Sequence, residues 1–332
     1  MSYTHLSFEE REQLVQLFSR GYRIRAVARI LGRHHTSILR EVRKQPWSSF
    51  WYSALIGEHH ARKKRSIARR PAKLEYLPLR TIVIAKLALR WSPEQIAHYL
   101  KQRYPQKNAM QVSHESIYTY IYVLPRGALR KELIAFLRQG RNGRVRRKRD
   151  TDARGKIPNI VSIHERPKEV ESRTVPGHWE SDLIIGKDHQ SAIGTLVERM
   201  TRTTILVPLQ AKDALTVRKA FAQVVRKLPK ELCVSLTHDR GTEMSQHELF
   251  TKETTVQVYF ADPYSPWQRG TNENTNGLIR QFFPKGTDFN LVTRKELRYV
   301  QRLLNERPRK TLNWRTPKQA VAELFITGAV RG

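Results

Sequence analysis

The chain is poor in cysteine, in acids relative to bases, and in long apolar runs. Cys233 is its only cysteine, which excludes a disulfide framework and any zinc site that needs two thiolates. No apolar run approaches the roughly 20 residues of a membrane helix, and the first residues lack the charged-then-apolar layout of a signal peptide. These absences describe a cytoplasmic protein with no membrane partner. Acids number only 30 against 61 lysines and arginines, a net charge of +31. Such a surplus calls for a polyanionic partner, and nucleic acid is the usual one. The surplus is uneven: residues 1–150 carry 32 basic and 10 acidic side chains (+22), residues 151–332 carry 29 and 20 (+9). The first half is the electrostatic grip, and the acids gather in the second.

A length of 332 residues with 39% hydrophobic side chains suggests two or three domains with real cores. Residues 1–45 read as a helix-turn-helix. Ser7-Phe-Glu-Glu10 is a capping box that starts a helix to about Phe18, a short helix runs from Ile24 to Leu31, and Gly32 precedes a third helix near His35. The last helix of such a unit enters the major groove, which would turn His34, His35, Thr36, Ser37, Arg40 and Arg43 toward DNA. A three-helix bundle with a solvated basic face is the alternative. Residues 46–137 form a second helical region, opened by the basic runs Ala61-Arg-Lys-Lys-Arg65 and Arg69-Arg70. Two strong helix starts follow there, Ser92-Pro-Glu-Gln95 and Ser113-His-Glu-Ser116, giving either a second helix-turn-helix that binds DNA or a packing domain. Residues 138–172 read as a linker, because Arg138–Arg149 holds seven basic residues and two glycines in twelve positions.

Residues 173–332 change texture. The runs 179–186, 192–198 and 203–209 suggest an antiparallel meander. Helix over 213–228, strand over 232–236, helix over 243–253 and strand over 256–260 follow, then a helix over 267–282 with Trp267, Leu278 and Phe282 as its apolar side. Two further helices, over 294–305 and from Thr316, close the chain. This order predicts an α/β layer on a mixed sheet.

Three acids stand out in that layer. Asp182 lies inside Trp179-Glu-Ser-Asp-Leu-Ile-Ile-Gly186, Asp239 follows the apolar run Leu232–Leu236, and Glu273 lies on the 267–282 helix with Arg269, Asn276 and Arg280. A carboxylate within an apolar strand is costly unless paired or metal-bound. Glu180 shares the strand face of Asp182, about 6.6 Å away at about 3.3 Å per residue, and spacing does not choose between them. Asp239 ends a buried strand, where ligand sites of α/β sheets concentrate. Each acid also has a plain structural reading: Glu273 paired with Arg269, Asp239 as a turn residue, Asp182 in a salt bridge. Taken together with a DNA-binding front half, they suggest a Mg²⁺ site, since that ion takes oxygen ligands and keeps water. Two ions about 3.5–4 Å apart suit in-line attack on phosphorus.

The segments Gly177-His-Trp-Glu-Ser-Asp-Leu-Ile-Ile-Gly186, Leu236-Thr-His-Asp-Arg-Gly-Thr-Glu-Met244, Asp262–Gly286 and Asn305-Glu-Arg-Pro-Arg-Lys-Thr-Leu312 resemble successive motifs of bacterial insertion-sequence transposases of the IS-thirty family. The similarity covers nearly the whole chain, and the 33 residues between Asp239 and Glu273 match the family spacing. The resemblance implies an RNase H-like, integrase-type catalytic domain with a mixed sheet behind all-α helix-turn-helix units. It gives Asp182, Asp239 and Glu273 the catalytic and metal-ligand roles, which decides against Glu180. It implies two Mg²⁺ ions, with Mn²⁺ as a substitute, and strand cleavage and transfer at transposon terminal inverted repeats. The implied partners are double-stranded DNA, as transposon end and target, and further copies of the chain, at least a dimer. No small-molecule substrate is implied, and the setting is the bacterial cytoplasm at the nucleoid. Arg269, Asn276 and Arg280 are candidate DNA contacts on the third motif. The chain departs from the family at Ser181, where glycine is common, and at His238, where tryptophan is common. Two other readings of the same residues are a DNA-binding regulator without catalysis and a metal nuclease that cuts without joining.

Overall fold

The computed structural model describes residues 5–45, 52–68, 73–137 and 157–327. The basic stretch Arg138–Arg149 and the Arg69-Arg70 pair lie outside the described residues. The chain divides into two compact units, Met1–Ala72 and Lys73–Gly332.

The first unit holds α1 (Phe8–Ser19), α2 (Ile24–Ile30), α3 (His35–Val42) and α4 (Ala54–Ala68). The Ser7–Glu10 capping box closes in both directions. Leu14, Phe18, Val27, Ile38, Val42 and Tyr52 form the core. Gly32 holds a φ of +62° between α2 and α3, a conformation that a side chain would strain. The unit also buries a charge that periodicity did not announce. Arg11 is 2% exposed and reaches Glu41 at 2.8 Å and Glu58 at 2.7 Å, so α1 is tied to α3 and α4 by one guanidinium. Lys44 remains on Glu41 and Arg62 on Glu58 when that guanidinium is removed. Arg11→Met should therefore cost about 2 kcal/mol, below the full penalty of an orphaned buried charge. Hydrogen exchange of the α1–α3 amides in the full chain measures it; unchanged protection would show the pair to be neutral.

In the second unit α5 (Leu77–Ala88), α6 (Pro93–Arg103), α7 (His114–Val123) and α8 (Ala128–Phe136) pack around Leu79, Val83, Leu87, Ile96, Leu100, Ile117, Ile121 and Leu133. The Ser92–Gln95 capping box starts α6 as the sequence predicts. Its other role is tertiary. Gln95 Nε2 donates to the Pro308 carbonyl at 2.8 Å, Glu94 pairs with Lys310 at 2.9 Å, and the His98 ring stacks on Trp314 at 4.1 Å. This helical block is thus fastened to the closing segment of the same unit.

After α9 (Glu169–Ser172) come β1 (His178–Ile185), β2 (Ala192–Glu198), β3 (Thr204–Pro208), α10 (Ala214–Val225), β4 (Ser235–His238), α11 (His247–Thr254), β5 (Gln257–Phe260), α12 (Gly270–Ile279), α13 (Arg294–Asn305) and α14 (Pro317–Ile326). The sheet order is β3-β2-β1-β4-β5. β1, β2 and β3 pair antiparallel, whereas β1–β4 and β4–β5 are parallel. This is the mixed sheet expected from the sequence. Side-chain alternation gives it two apolar faces. Trp179, Leu196, Val207, Leu236 and Val258 meet α10 and α11, while Ile184, Ile193 and Leu206 meet α12 and α13. Every residue of β2 is buried, as a central strand covered on both sides requires. A Cβ at Gly194 would stand 2.2 Å from the Phe221 ring, so that glycine is the space into which α10 packs.

Three boundaries differ from expectation. β4 runs over Ser235–His238 and not 232–236, because Lys230–Leu232 closes a 3-10 turn before it. α11 begins at His247 and not at Glu243, because Gly241–Met244 closes a tight 3-10 turn that folds Glu243 back toward β4. α12 begins at Gly270, after a 3-10 turn over Pro266–Arg269. The tighter turn rotates Trp267 out of phase with Leu278, so Trp267 is 71% exposed instead of joining the apolar side.

Candidate active site

Asp182 and Asp239 meet because β1 and β4 are parallel neighbours. Their register pairs Glu180 with Thr237, and continuing it by two residues sets Asp182, in the middle of β1, level with Asp239, just past the carboxyl end of β4. Glu273, exposed on the first turns of α12, lines the same cleft with them, together with Arg240, Asp262, Tyr264 and Arg269. All three sequence-predicted acids are therefore brought together at one opening.

Asp182 is held from two sides. Its Oδ1 accepts from the Leu183 backbone N–H at 2.9 Å, and its Oδ2 accepts from Asn276 Nδ2 at 2.9 Å. Burial pushes its carboxyl above the usual carboxylate range; the Arg269 charge opposes this and the Asp239 charge adds to it. Arg269 lies between the two aspartates, its guanidinium 3.6 Å from Asp182 and 3.2 Å from Asp239, and donates to the Ser181 carbonyl at 3.0 Å.

Glu180, the rival of Asp182 on spacing, is fully buried. It accepts from Arg199 at 2.6 Å and from the Asn272 backbone N–H at 2.8 Å. Both oxygens are engaged, and the residue fastens β1 to the start of α12. Asp182, two residues on, is the one that reaches the cleft.

Arg269, Asn276 and Arg280, the candidate DNA contacts of the third motif, each bond to β1. Asn276 holds Asp182, and Arg280 donates to the Ile185 carbonyl at 2.7 Å. The reason is that α12 lies across β1, so its polar face is spent on the strand's carbonyls and carboxylates. Only Arg269 also lines the cleft. On α3, His34, His35, Arg40 and Arg43 are exposed, while Thr36 and Ser37 are half-buried. His34 spends one ring nitrogen as the helix cap, 3.4 Å from the Thr36 backbone N–H. Sequence reasoning missed the counter-charge role of Arg269 and the clamp of Asn276 on Asp182. Both depend on how α12 crosses the sheet.

The donor set fits a divalent cation. It consists of carboxylate oxygens alone, and two of the carboxylates already gather a positive group, the Arg269 guanidinium, between them.

A mixed sheet in this order, with one acid within the central strand β1 and another at the end of its parallel neighbour β4, defines an RNase H-like protein of integrase type. Residues 2–45 match the family model of a helix-turn-helix domain and residues 173–266 that of an integrase core domain. The chain is 44% identical over 326 residues to the transposase for insertion sequence element IS1086 of Cupriavidus metallidurans, covering 97% of this chain and 96% of the relative. It is 42% identical to the transposase InsI for insertion sequence element IS30A of Escherichia coli strain K12, over 96% of this chain and 83% of the relative. It is 35% identical to the transposase for insertion sequence element IS4351 of Bacteroides fragilis, over 98% of each. The chain belongs to the insertion-sequence transposases of the IS-thirty family. It is a DNA-binding enzyme that cleaves and integrates DNA, and its integrase core makes that chemistry dependent on a divalent metal. Among the described residues no helix is long and apolar enough to cross a membrane.

Proposed function

We propose that Asp182, Asp239 and Glu273 hold two Mg²⁺ ions, replaceable by Mn²⁺, at which the ends of this chain's own mobile element are cut and joined to target DNA. The observation that carries this reading is the convergence of three acids, from β1, the end of β4 and α12, on one cleft. Bound there, the ions would activate the attacking water or 3′-hydroxyl and stabilise the leaving oxygen. The chain's own groups do the rest. Asn276 and the Leu183 amide orient Asp182, and Arg269 balances the paired aspartates and places a fixed positive charge where a phosphate would lie. Asn276 and Arg280 also act as struts of β1.

The division of labour is part of the same proposal: 1–45 reads the terminal repeat, 46–137 adds a second DNA-binding region, 138–172 links, and 173–332 carries out the chemistry. Two DNA ends must be held together, so the working form is at least a dimer, and the enzyme acts at the nucleoid. Incubating the full chain with Mg²⁺, a repeat-ended duplex and a supercoiled plasmid tests this. Joined products support the transposase; nicked plasmid without joining would move the reading to a nuclease, and binding without either to a regulator.

Arg40 is exposed on α3, where a recognition helix presents its base-reading side chains. Arg40→Ala should weaken binding to the terminal repeat by roughly 1–3 kcal/mol and leave random duplex little affected. Titration of both duplexes at one salt concentration measures this. An equal loss on both would make Arg40 a phosphate contact.

A further inference from the structure

Beside the three-acid cleft lies a second donor set. His238, fully buried at the end of β4, keeps its Nε2 without a hydrogen-bond partner. That nitrogen is aimed between two carboxylates, 3.3 Å from Asp239 Oδ1 and 3.5 Å from Glu243 Oε1. One donor atom from each of the three residues falls within 4.8 Å of the others.

The surroundings are built to keep it so. His238 Nδ1 lies 2.7 Å from Ser181 Oγ, whose own proton has the Thr237 carbonyl as acceptor at 3.5 Å. In the tautomer with its proton on Nδ1, which donates to the serine, the Nε2 lone pair is available to a cation held between the two carboxylates. A ligating histidine is oriented in this way through its other ring nitrogen. Ser181 and His238 are also the two departures from the family pattern, and here they are partners: neither glycine at 181 nor tryptophan at 238 could make this bond. Gly241 completes the arrangement, because a Cβ there would stand 2.3 Å from the Glu243 carboxylate oxygens and push them away.

The chemistry of the set differs from that of its neighbour. Imidazole suits zinc, cobalt and nickel better than magnesium, which takes oxygen ligands. A tetrahedral ion with ligands at about 2.0–2.1 Å has donor–donor edges of about 3.3–3.4 Å, close to the two separations from Nε2. Asp239 can serve both sites, since Oδ1 faces His238 while Oδ2 faces Arg269 at 3.2 Å.

We infer that His238, Asp239 and Glu243 form a site for a transition-metal dication, Zn²⁺ or Co²⁺, with a fourth position open to water, distinct from the oxygen-only set and joined to it through Asp239. The site stands on its own geometry. Strand transfer decides the reading of the three-acid cleft, whereas Co²⁺ binding at His238 is read by absorption alone.

The full chain, held in excess Mg²⁺, is titrated with Co²⁺ while its visible absorption is followed, and Zn²⁺ is then added. One Co²⁺ per chain with the intense band of a tetrahedral site, displaced by Zn²⁺, is expected. Glu243→Gln, at a partly exposed position, and His238→Gln should each weaken Co²⁺ binding at least tenfold. Ser181→Gly should weaken it about tenfold by freeing the ring, within the range for loss of an orienting partner. Glu273→Gln should leave the band unchanged. Absence of a tetrahedral band in the unaltered chain overturns the inference. So does a band that survives Glu243→Gln and His238→Gln, or one that vanishes in Glu273→Gln.

Discussion

Asp239→Asn should reduce strand transfer by about a thousandfold or more and leave the fold intact. Asp239 lies just past the end of β4, one-third exposed, beside the Arg269 guanidinium, the His238 ring and the Gly241 amide at the rim of the cleft and outside the apolar core. Asparagine keeps its shape and removes a ligand. A divalent ion contributes several kcal/mol of charge stabilisation to phosphoryl chemistry, and three decades of rate correspond to about 4 kcal/mol. Stability should move the other way. Asp182 has its carboxyl raised first by burial and then by the charge of Asp239. A folded-state value above the unfolded one means that ionised Asp182 opposes folding at neutral pH, and this cost fades as pH falls through the folded-state value. Removing the neighbouring charge relieves part of it, so the metal-free variant should melt no lower than the unaltered chain. Single-turnover joining of a repeat-ended duplex, with a thermal melt alongside, reads both quantities. Full strand transfer by Asp239→Asn would remove the cleft from the mechanism, and a large fall in Tm would make the residue structural.

Much of this architecture is legible in the sequence where the signal is local. Ser7–Glu10, Ser92–Gln95 and Thr316–Gln319 are capping boxes in the structure because each needs only four residues. The meander of β1, β2 and β3 follows from three apolar runs joined by short turns. The acids at 182, 239 and 273 were legible as candidates, but their meeting depends on the parallel register of β1 and β4 and on α12 crossing β1. Neither leaves a periodic trace. The same holds for Arg199 on Glu180, Ser181 on His238, and His98 on Trp314. Each pair is a long-range contact between residues with an ordinary solvated reading of their own. The sequence counts Arg269 as part of helix α12, whereas it belongs to the preceding 3-10 turn, from which its guanidinium reaches both aspartates.

The sharpest contrast lies within one strand. Glu180→Ala should lower stability by about 3–5 kcal/mol, the range for removing one partner of a buried ion pair, whereas Asp182→Asn should leave it level and abolish joining. Glu180 has no exposed surface and Arg199 is 5% exposed, with 2.6 Å between them. Burial already lowers the affinity of the Arg199 guanidinium for its proton, and the Glu180 charge is the first force opposing that. Alanine would leave the guanidinium with the Val170 carbonyl at 3.2 Å as its remaining bond and would free the Asn272 amide at the start of α12. In a chain of this size the loss corresponds to a fall in Tm on the order of 10 °C. Joining activity would fall only as far as the folded population does. Pairing Glu180→Leu with Arg199→Met should recover most of the stability, because replacing a whole buried ion pair by apolar groups of similar volume is often neutral. Thermal melts and strand transfer on Glu180→Ala, Asp182→Asn and the double variant separate the two carboxylates. If Glu180→Ala melts normally and cannot join DNA, Glu180 is the catalytic acid of β1 and Asp182 its neighbour.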